Sequence, residues 1–278
     1  MKVGIIGAGT MGCGIAQAFA AHEKYSVVLC DIDLELAKKG LTRLTGKLQK
    51  SVDKGKMDGA QAKSLLSRIQ AGIITQLSDC DLVIEAAQEN MAVKKKIFAQ
   101  LQSICPKNTL FATNTSSLSL TEMGQGLDRE ITGMHFFNPA EILKLVEVVA
   151  GMHATPATVE KIKSIAQDIG KTPIEVKESA GFVVNRLLIP MINEAVGVLA
   201  DGVASAEDID TAMKLGANHP LGPLALADLV GLDICLAIME VLHAETGEDK
   251  YRPHPLLRKM TRGGLLGRKS GRGFFEYL

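Results

Sequence analysis

The stretch "KVGIIGAGTMGCGIAQAFAAH", residues 2–22, decides the fold. After Lys2 the residues Val3-Gly4-Ile5-Ile6 carry no charge, and the run reads as a short buried strand. The last thirteen read as a helix. Between them Gly7-Ala8-Gly9-Thr10-Met11-Gly12 forms a G-x-G-x-x-G. In a strand–turn–helix setting each glycine has a physical task. Gly7 makes the tight turn, Gly9 lets the backbone approach a pyrophosphate, and Gly12 lets helix and strand pack closely. The helix N-terminus, from Thr10 and Met11, offers N–H groups and partial positive charge to phosphates. The competing reading is a glycine-rich structural turn. A second apolar run, "YSVVLCD", argues against it, because it ends at Asp31, nineteen residues after Gly12. A carboxylate there accepts from ribose hydroxyls and repels a 2′-phosphate, which favours NAD over NADP. Asp33 lies past the strand end and is the weaker candidate.

The same stretch resembles a leader or a membrane span, since residues 3–21 are uncharged and follow Lys2. Five glycines interrupt it and there is no leucine-rich centre, so neither a secretory nor a membrane reading is favoured.

Outward from this point strands and helices alternate. A polar helix is expected over Leu34–Lys54. "AGIIT", "DLVIEAA", "TLFAT", "EITGMHFF", "LKLVEVV" and "TPIEV" have strand character, and "MAVKKKIFAQLQS" and Thr155–Ile169 have helical spacing. This alternation predicts an α/β, Rossmann-type doubly wound, mostly parallel sheet. The runs ending at Phe137 and starting at Leu143 are too close for a parallel crossover, so an antiparallel pair is expected there. Beyond Glu178 only helices are expected, over Gly181–Ala200, Ala206–Leu215, Leu224–Ala244 and Pro255–Thr261. The reading is therefore an N-terminal dinucleotide-binding domain, residues 1–178, and a smaller all-α C-terminal domain, residues 179–278.

Composition narrows the classes further. Lys+Arg and Asp+Glu are both 31, aromatics are 4% and Trp is absent, which speaks against a nucleic-acid surface. Five scattered cysteines with no C-x-x-C pair suggest free thiols in a reducing, cytoplasmic setting, and the histidines lack metal-ligand spacing. No metal is expected.

Hydride transfer from an alcohol needs a base for the hydroxyl proton, and histidine is suited to that task near neutral pH. His135 sits near the end of "ITGMHFF", at a strand end of the kind that faces the ligand crevice. A lone histidine among apolar residues also fits a satisfied core position. In "LKLVEVV", Glu147 shares a face with Leu145 and Val149. If the two strands pair, Glu147 reaches the imidazole and orients it. The alternative is a solvent-facing glutamate on an edge strand, and the residues alone leave both open.

Several motifs, taken together, are specific. "GAGTMGCGIAQ", "VIEAAQENMAVKKKIF", "TNTSSLSLTEM", "GMHFFNPA", "KLVEVV", "GFVVNRLL", "HPLGPLALADLVGLD" and "GLLGRKSGRGFFEY" run nearly end to end. The chain resembles the 3-hydroxyacyl-CoA dehydrogenase family, most closely its short bacterial members. The resemblance implies interconversion of (S)-3-hydroxyacyl-CoA and 3-oxoacyl-CoA with NAD, with short chains such as hydroxybutyryl expected. It makes His135 the general base and Glu147 its partner. Ser116 would bond the substrate oxygen and approach the nicotinamide, and Asn185 would help hold the reacting carbonyl. It places Glu89, Lys94, Asn138 and Lys269, with Ser116, along the nicotinamide half of the cofactor. Read without the family, Ser116 is also a candidate helix cap, Asn185 an ordinary surface amide and Asn138 a turn residue before Pro139.

A coenzyme A substrate is strongly anionic. Arg43, Lys47, Lys50 and Lys54 are spaced four, three and four apart on one helix face, with Lys56 just beyond. The resemblance places CoA near this helix, although such stripes are also ordinary solvated faces. The chain departs from the family after "HFFNP", where Ala140-Glu141-Ile142-Leu143-Lys144 replaces a run with a second proline, so the resemblance does not fix acyl-chain preference. Homodimerisation through the apolar C-terminal helices is implied by the same resemblance. A related dehydrogenase of a small hydroxy acid without CoA, and a non-catalytic NAD-binding protein, are the rival readings.

Overall fold

The structure is a computed structural model and describes residues 1–277. The chain forms two compact units that divide after Glu178. In the first unit eight strands lie in the order β3-β2-β1-β4-β5-β6-β7-β8. They are β1 (Lys2–Ile6), β2 (Ser26–Cys30), β3 (Ile69–Gly72), β4 (Leu82–Glu85), β5 (Leu110–Thr113), β6 (Ile131–Phe136), β7 (Leu145–Ala150) and β8 (Thr172–Lys177). All neighbours pair in parallel except β6 and β7. The short link between those two leaves no room for a crossover, whereas α6 (Pro156–Asp168) returns the chain from β7 to a parallel β8.

The helices of this unit are α1 (Thr10–Ala20), α2 (Leu34–Asp53), α3 (Gly59–Ser67), α4 (Met91–Ile104), α5 (Leu120–Met123) and α6. Strand alternation divides their packing between two faces. Val3 and Ile5 of β1 join α1, α2 and α6 in one core, through residues such as Phe19, Leu44 and Ile162. Ile6, with Val28 and Val83, packs on the other face against Phe98 and Leu101 of α4. Apolar side chains on both faces thus cover the sheet, as a doubly wound arrangement requires. The order reverses between β1 and β4, and the glycine turn after β1 lies at that switch point, where such sheets bind ligands.

The second unit is helical, with α7 (Val184–Ala200), α8 (Ala206–Gly216), α9 (Pro223–Val230), α10 (Leu232–Thr246) and α11 (Pro255–Arg262) around its own core. Several elements differ from expectation. Of "AGIIT" only Ala71 and Gly72 belong to β3, and the chain turns into a 3-10 helix over Ile74–Leu77; α5 is not among the expected elements. The single helix expected over Leu224–Ala244 is two, because Gly231 adopts φ +105°, outside the α-helical region. α7 begins at Val184 and not at Gly181, because Gly181 (φ +69°) and Phe182 (φ +52°) are both left-handed. α3 has no counterpart in the sequence reading. Asp58 starts it by accepting from the amides of Ala60 and Gln61.

Candidate active site

The glycine turn is built as its spacing implies. Gly7 has φ +102°, and a Cβ there would strike the backbone of Ala86. A Cβ on Gly12 would run into the carbonyl oxygen of Gly7. Gly9 is different, since a Cβ there would meet nothing within 4 Å. Gly9 is also the N-cap of α1 and supplies no side-chain cap, so the N–H groups of the first turn, from Thr10 and Met11, have no side-chain acceptor in that role. A bare helix N-terminus behind an open glycine fits a pyrophosphate. Asp31, just past β2, accepts from the amide of Ala8 at 2.7 Å and of Ile32 at 2.8 Å, so it is tied to the glycine turn. Asp33 instead caps α2 through the amide of Leu36. Arg43, the first member of the basic stripe, donates to the carbonyl of Ala8 at 2.6 Å.

A second cluster stands at the ends of β4 and β5. Glu89 lies after β4, immediately before Asn90, the N-cap of α4. Its Oε1 accepts from Thr115 Oγ1 at 2.7 Å, Ser116 N at 2.8 Å and Ser116 Oγ at 3.1 Å. Burial works to raise the Glu89 pKa, but the charge of Lys94 and the hydrogen bonds from Thr115 and Ser116 outweigh it and hold the value below the usual one. Lys94 is only 1% exposed, a burial that its place in a run of three lysines does not suggest. Its ammonium contacts Glu85 at 2.7 and 2.8 Å and Glu89 at 3.2 Å. A signal was present, because Lys94 precedes Phe98 and Leu101 by four and seven residues and so shares their buried stripe. Ser116 is not the cap of α5, a task performed by Ser119 through the amide of Glu122.

The third cluster lies on the antiparallel pair. His135 of β6 and Glu147 of β7 are direct partners in the ladder. Their side chains meet, with His135 Nδ1 2.7 Å from Glu147 Oε2. Glu147 is fully buried and His135 is 5% exposed. The solvent-facing alternative for Glu147 therefore does not hold. Such a carboxylate needs a partner to offset its desolvation, and the imidazole supplies one. An ionised carboxylate only accepts, so Nδ1–H donates to it, and the neutral ring then carries its basic lone pair on Nε2. The ring of Phe137 packs edge-on against the imidazole, with centroids 4.6 Å apart. Asn114, which the sequence reading passes over, accepts from the amide of Phe136 at 2.8 Å and ties the end of β5 to β6 beside the histidine.

Asn138 follows in the turn, with a cis peptide bond to Pro139. The rest of that loop is anchored by Lys171, whose ammonium donates to the carbonyls of Ala140 (2.6 Å) and Leu143 (2.8 Å). Burial pushes the Lys171 pKa down and the charge of Glu141 pulls the other way. Glu141, the charge that departs from the family pattern, pairs with Lys47 of α2 at 2.5 Å. Lys50, Lys54 and Lys56 are exposed on and just beyond α2. Asn185 and Lys269 belong to the second unit. Asn185 is in the first turn of α7, and Lys269 forms an ion pair with Asp233 of α10. Among the described residues no His/Cys/Asp/Glu group could hold a metal, all five cysteines are free and buried, and no helix is long and apolar enough to cross a membrane.

Residues 2–179 match the NAD binding domain of 3-hydroxyacyl-CoA dehydrogenase, and residues 181–277 match that enzyme's C-terminal domain. The chain belongs to the 3-hydroxyacyl-CoA dehydrogenase family. It is an NAD-dependent oxidoreductase of that family, with its cofactor domain in the first unit. It is 50% identical over 280 residues to the 3-hydroxybutyryl-CoA dehydrogenase of Clostridioides difficile, a match covering 100% of this chain and 99% of that protein. It is 48% identical over 279 residues to the probable 3-hydroxybutyryl-CoA dehydrogenase of Bacillus subtilis, covering 99% and 97%. The crystal structure of (S)-3-hydroxybutyryl-CoA dehydrogenase from Ralstonia eutropha superposes with a TM-score of 0.94 at 47% identity, covering 100% and 99%.

Proposed function

We propose that this member of the family interconverts (S)-3-hydroxybutyryl-CoA and acetoacetyl-CoA, with His135 as general base and Glu147 as its orienting partner. The observation that carries the site assignment is the buried contact of 2.7 Å between His135 Nδ1 and Glu147 Oε2. The substrate assignment rests on what the relatives of 47–50% identity are named for.

In the oxidative direction Nε2 of His135 takes the hydroxyl proton, and Glu147 stabilises the imidazolium that results. Bound NAD+ supplies the acceptor for the hydride leaving C3. Gly9 and the N-terminus of α1 receive the pyrophosphate, and Asp31 the adenosine ribose. Gly7 and Gly12 shape that turn. Glu89, Ser116 and Asn138 line the nicotinamide half, and Ser116 also holds the substrate oxygen. Lys94 serves this region through its pairing with Glu89. Asn185 and Lys269 act from the helical unit, Asn185 on the reacting carbonyl and Lys269 on the cofactor. Lys50, Lys54 and Lys56 meet the phosphates of CoA, with Lys47 contributing from its pairing with Glu141. In the reductive direction His135 returns the proton as an acid.

The protein acts in a reducing, cytoplasmic compartment, which its five free, buried thiols suit. It forms a homodimer through the helical unit, where Leu187, Val203, Leu215 and Leu229 are exposed apolar side chains. The deciding assay follows NADH oxidation with acetoacetyl-CoA, beside NADPH and beside free acetoacetate. Turnover with NADH and the CoA ester alone is expected. Preference for the free acid would reassign the substrate, and NADH binding without turnover on either would make the protein a non-catalytic binder.

A further inference from the structure

Glu85 is a fully buried carboxylate that no step above uses. It ends β4 and faces Thr113, its ladder partner at the end of β5. Its Oε1 accepts from Ala87 N and from Lys94 Nζ, both at 2.7 Å. Its Oε2 accepts from Lys94 Nζ at 2.8 Å and from Thr113 Oγ1 at 2.6 Å. Lys94 then reaches Glu89 Oε2 at 3.2 Å. The other oxygen of Glu89 collects the donors of the turn after β5, namely Thr115 Oγ1, Ser116 N, Ser116 Oγ and, at 3.3 Å, Ser117 N. One continuous chain of charges thus runs from the end of β4 to the turn that carries Ser116.

Stability alone is a poor explanation for such a chain. Desolvation of a buried ion pair offsets most of its Coulomb attraction, and apolar replacements of similar volume are often neutral or stabilising. Geometry is a better one. A glutamate side chain has three torsions, and Glu89 is partly exposed. The ammonium of Lys94, itself gripped by both oxygens of Glu85, holds Glu89 from the inner side. Glu89 can then present a fixed acceptor to the amides of Ser116 and Ser117.

We propose that Glu85 is a positioning residue that acts through Lys94 and Glu89 to fix the turn of residues 115–117, and with it the hydroxyl of Ser116, at the mouth of the cofactor crevice. The role rests on the reading that Ser116 serves the substrate oxygen.

The test is the paired variant Glu85→Leu with Lys94→Met, which removes both buried charges at similar volume. Thermal unfolding is expected to stay cooperative, with Tm lowered only modestly, because the two charges leave together while Ala87 N and Thr113 Oγ1 lose their acceptors. The Kd for NADH and the KM for acetoacetyl-CoA are expected within about threefold of wild type while kcat falls by about tenfold or more, the split that marks an interaction used in the transition state. Amide exchange at Ser116 and Ser117 should quicken by about tenfold or more as their acceptor loosens. Wild-type kcat together with unchanged exchange would overturn the proposal. So would a fall in kcat matched by equal losses of NADH affinity and Tm, since that marks a general loss of structure. If the paired variant does not fold, Glu85→Gln with Lys94→Met keeps one carbonyl acceptor, for Ala87 N, and offers Thr113 Oγ1 an amide N–H to accept from, and is read by the same criteria. If the wild type fails to turn over acetoacetyl-CoA, the proposed function falls, while amide exchange still decides whether Glu85 positions the turn.

Discussion

Replacing Glu147 by glutamine isolates the charge of the orienting group from its shape. Glu147 is fully buried, pairs directly with His135 across the β6–β7 ladder, and meets Nδ1 at 2.7 Å. A glutamine keeps the volume and one acceptor oxygen, so the ring orientation survives while the negative charge is lost. A hydrogen bond involving a charged group is worth about 1.5–3 kcal/mol net. The charge matters most once the imidazole has taken the proton, so the loss falls on the transition state more than on the ground state. At about 1.36 kcal/mol per factor of ten, kcat should drop by about 10- to 150-fold. The assay is NADH oxidation at saturating acetoacetyl-CoA, followed across pH, with the Kd for NADH measured separately. The Kd should stay within about threefold of wild type, because the role proposed for Glu147 is on the base and not on cofactor binding. The pH–rate profile should move, since the proton-accepting ring has lost its anionic neighbour. A variant with kcat within about twofold of wild type and an unmoved profile would refute the pairing role.

Three further outcomes follow from other parts of the site. Gly9→Val should weaken NADH binding by about tenfold or more with little change in Tm, because its side chain enters open space that the pyrophosphate needs; Gly12→Ala should instead lower Tm, since its Cβ meets the Gly7 carbonyl. Measuring both properties for both variants separates cradle from scaffold, and equal effects would contradict the assignment. Neutralising Lys50 and Lys54 together as alanines should raise the KM for acetoacetyl-CoA without changing the Kd for NADH, and an unchanged KM would leave them as a solvated face. The pKa of Glu89 is held below its ordinary value of 4.5, so its contribution is present above that value and is lost only as pH falls through the lower, folded-state value. Exchange protection at the amides of Ser116 and Ser117 should therefore persist at about pH 5 and disappear on further acidification; loss of protection near neutral pH would contradict it.

Much of the cofactor half was legible in the sequence because it depends on local chemistry. A strand, a glycine turn, a helix and an acid at fixed spacing are all short-range features, and Gly7, Gly12 and Asp31 take up the places that spacing implies. The antiparallel β6–β7 pair was legible from loop length alone. Elements governed by a single backbone angle were not. Nothing in "LALADLVGLD" announces that Gly231 divides the helix, because a glycine within an apolar helical pattern is also tolerated as a weak helical residue. The short α3 buries only Ala62 and Leu65 and so carries almost no periodic signal. Lys94 was the deepest concealment. Its neighbours Lys95 and Lys96 look the same in sequence, and only its register with Phe98 and Leu101 marks it as internal. Nothing in "DLVIEAA" marks Glu85 as a buried acceptor of four hydrogen bonds.

The central claim is that His135 is the proton acceptor of an NAD-dependent 3-hydroxyacyl-CoA dehydrogenase. The most direct measurement compares wild type with His135→Gln for the rate of NADH oxidation by acetoacetyl-CoA, with NADH affinity determined on the same samples. The account predicts rapid turnover by the wild type and a fall of about 100- to 10,000-fold in the variant, with NADH affinity nearly unchanged. Turnover by His135→Gln at the wild-type rate would remove His135 from the chemistry and contradict the account.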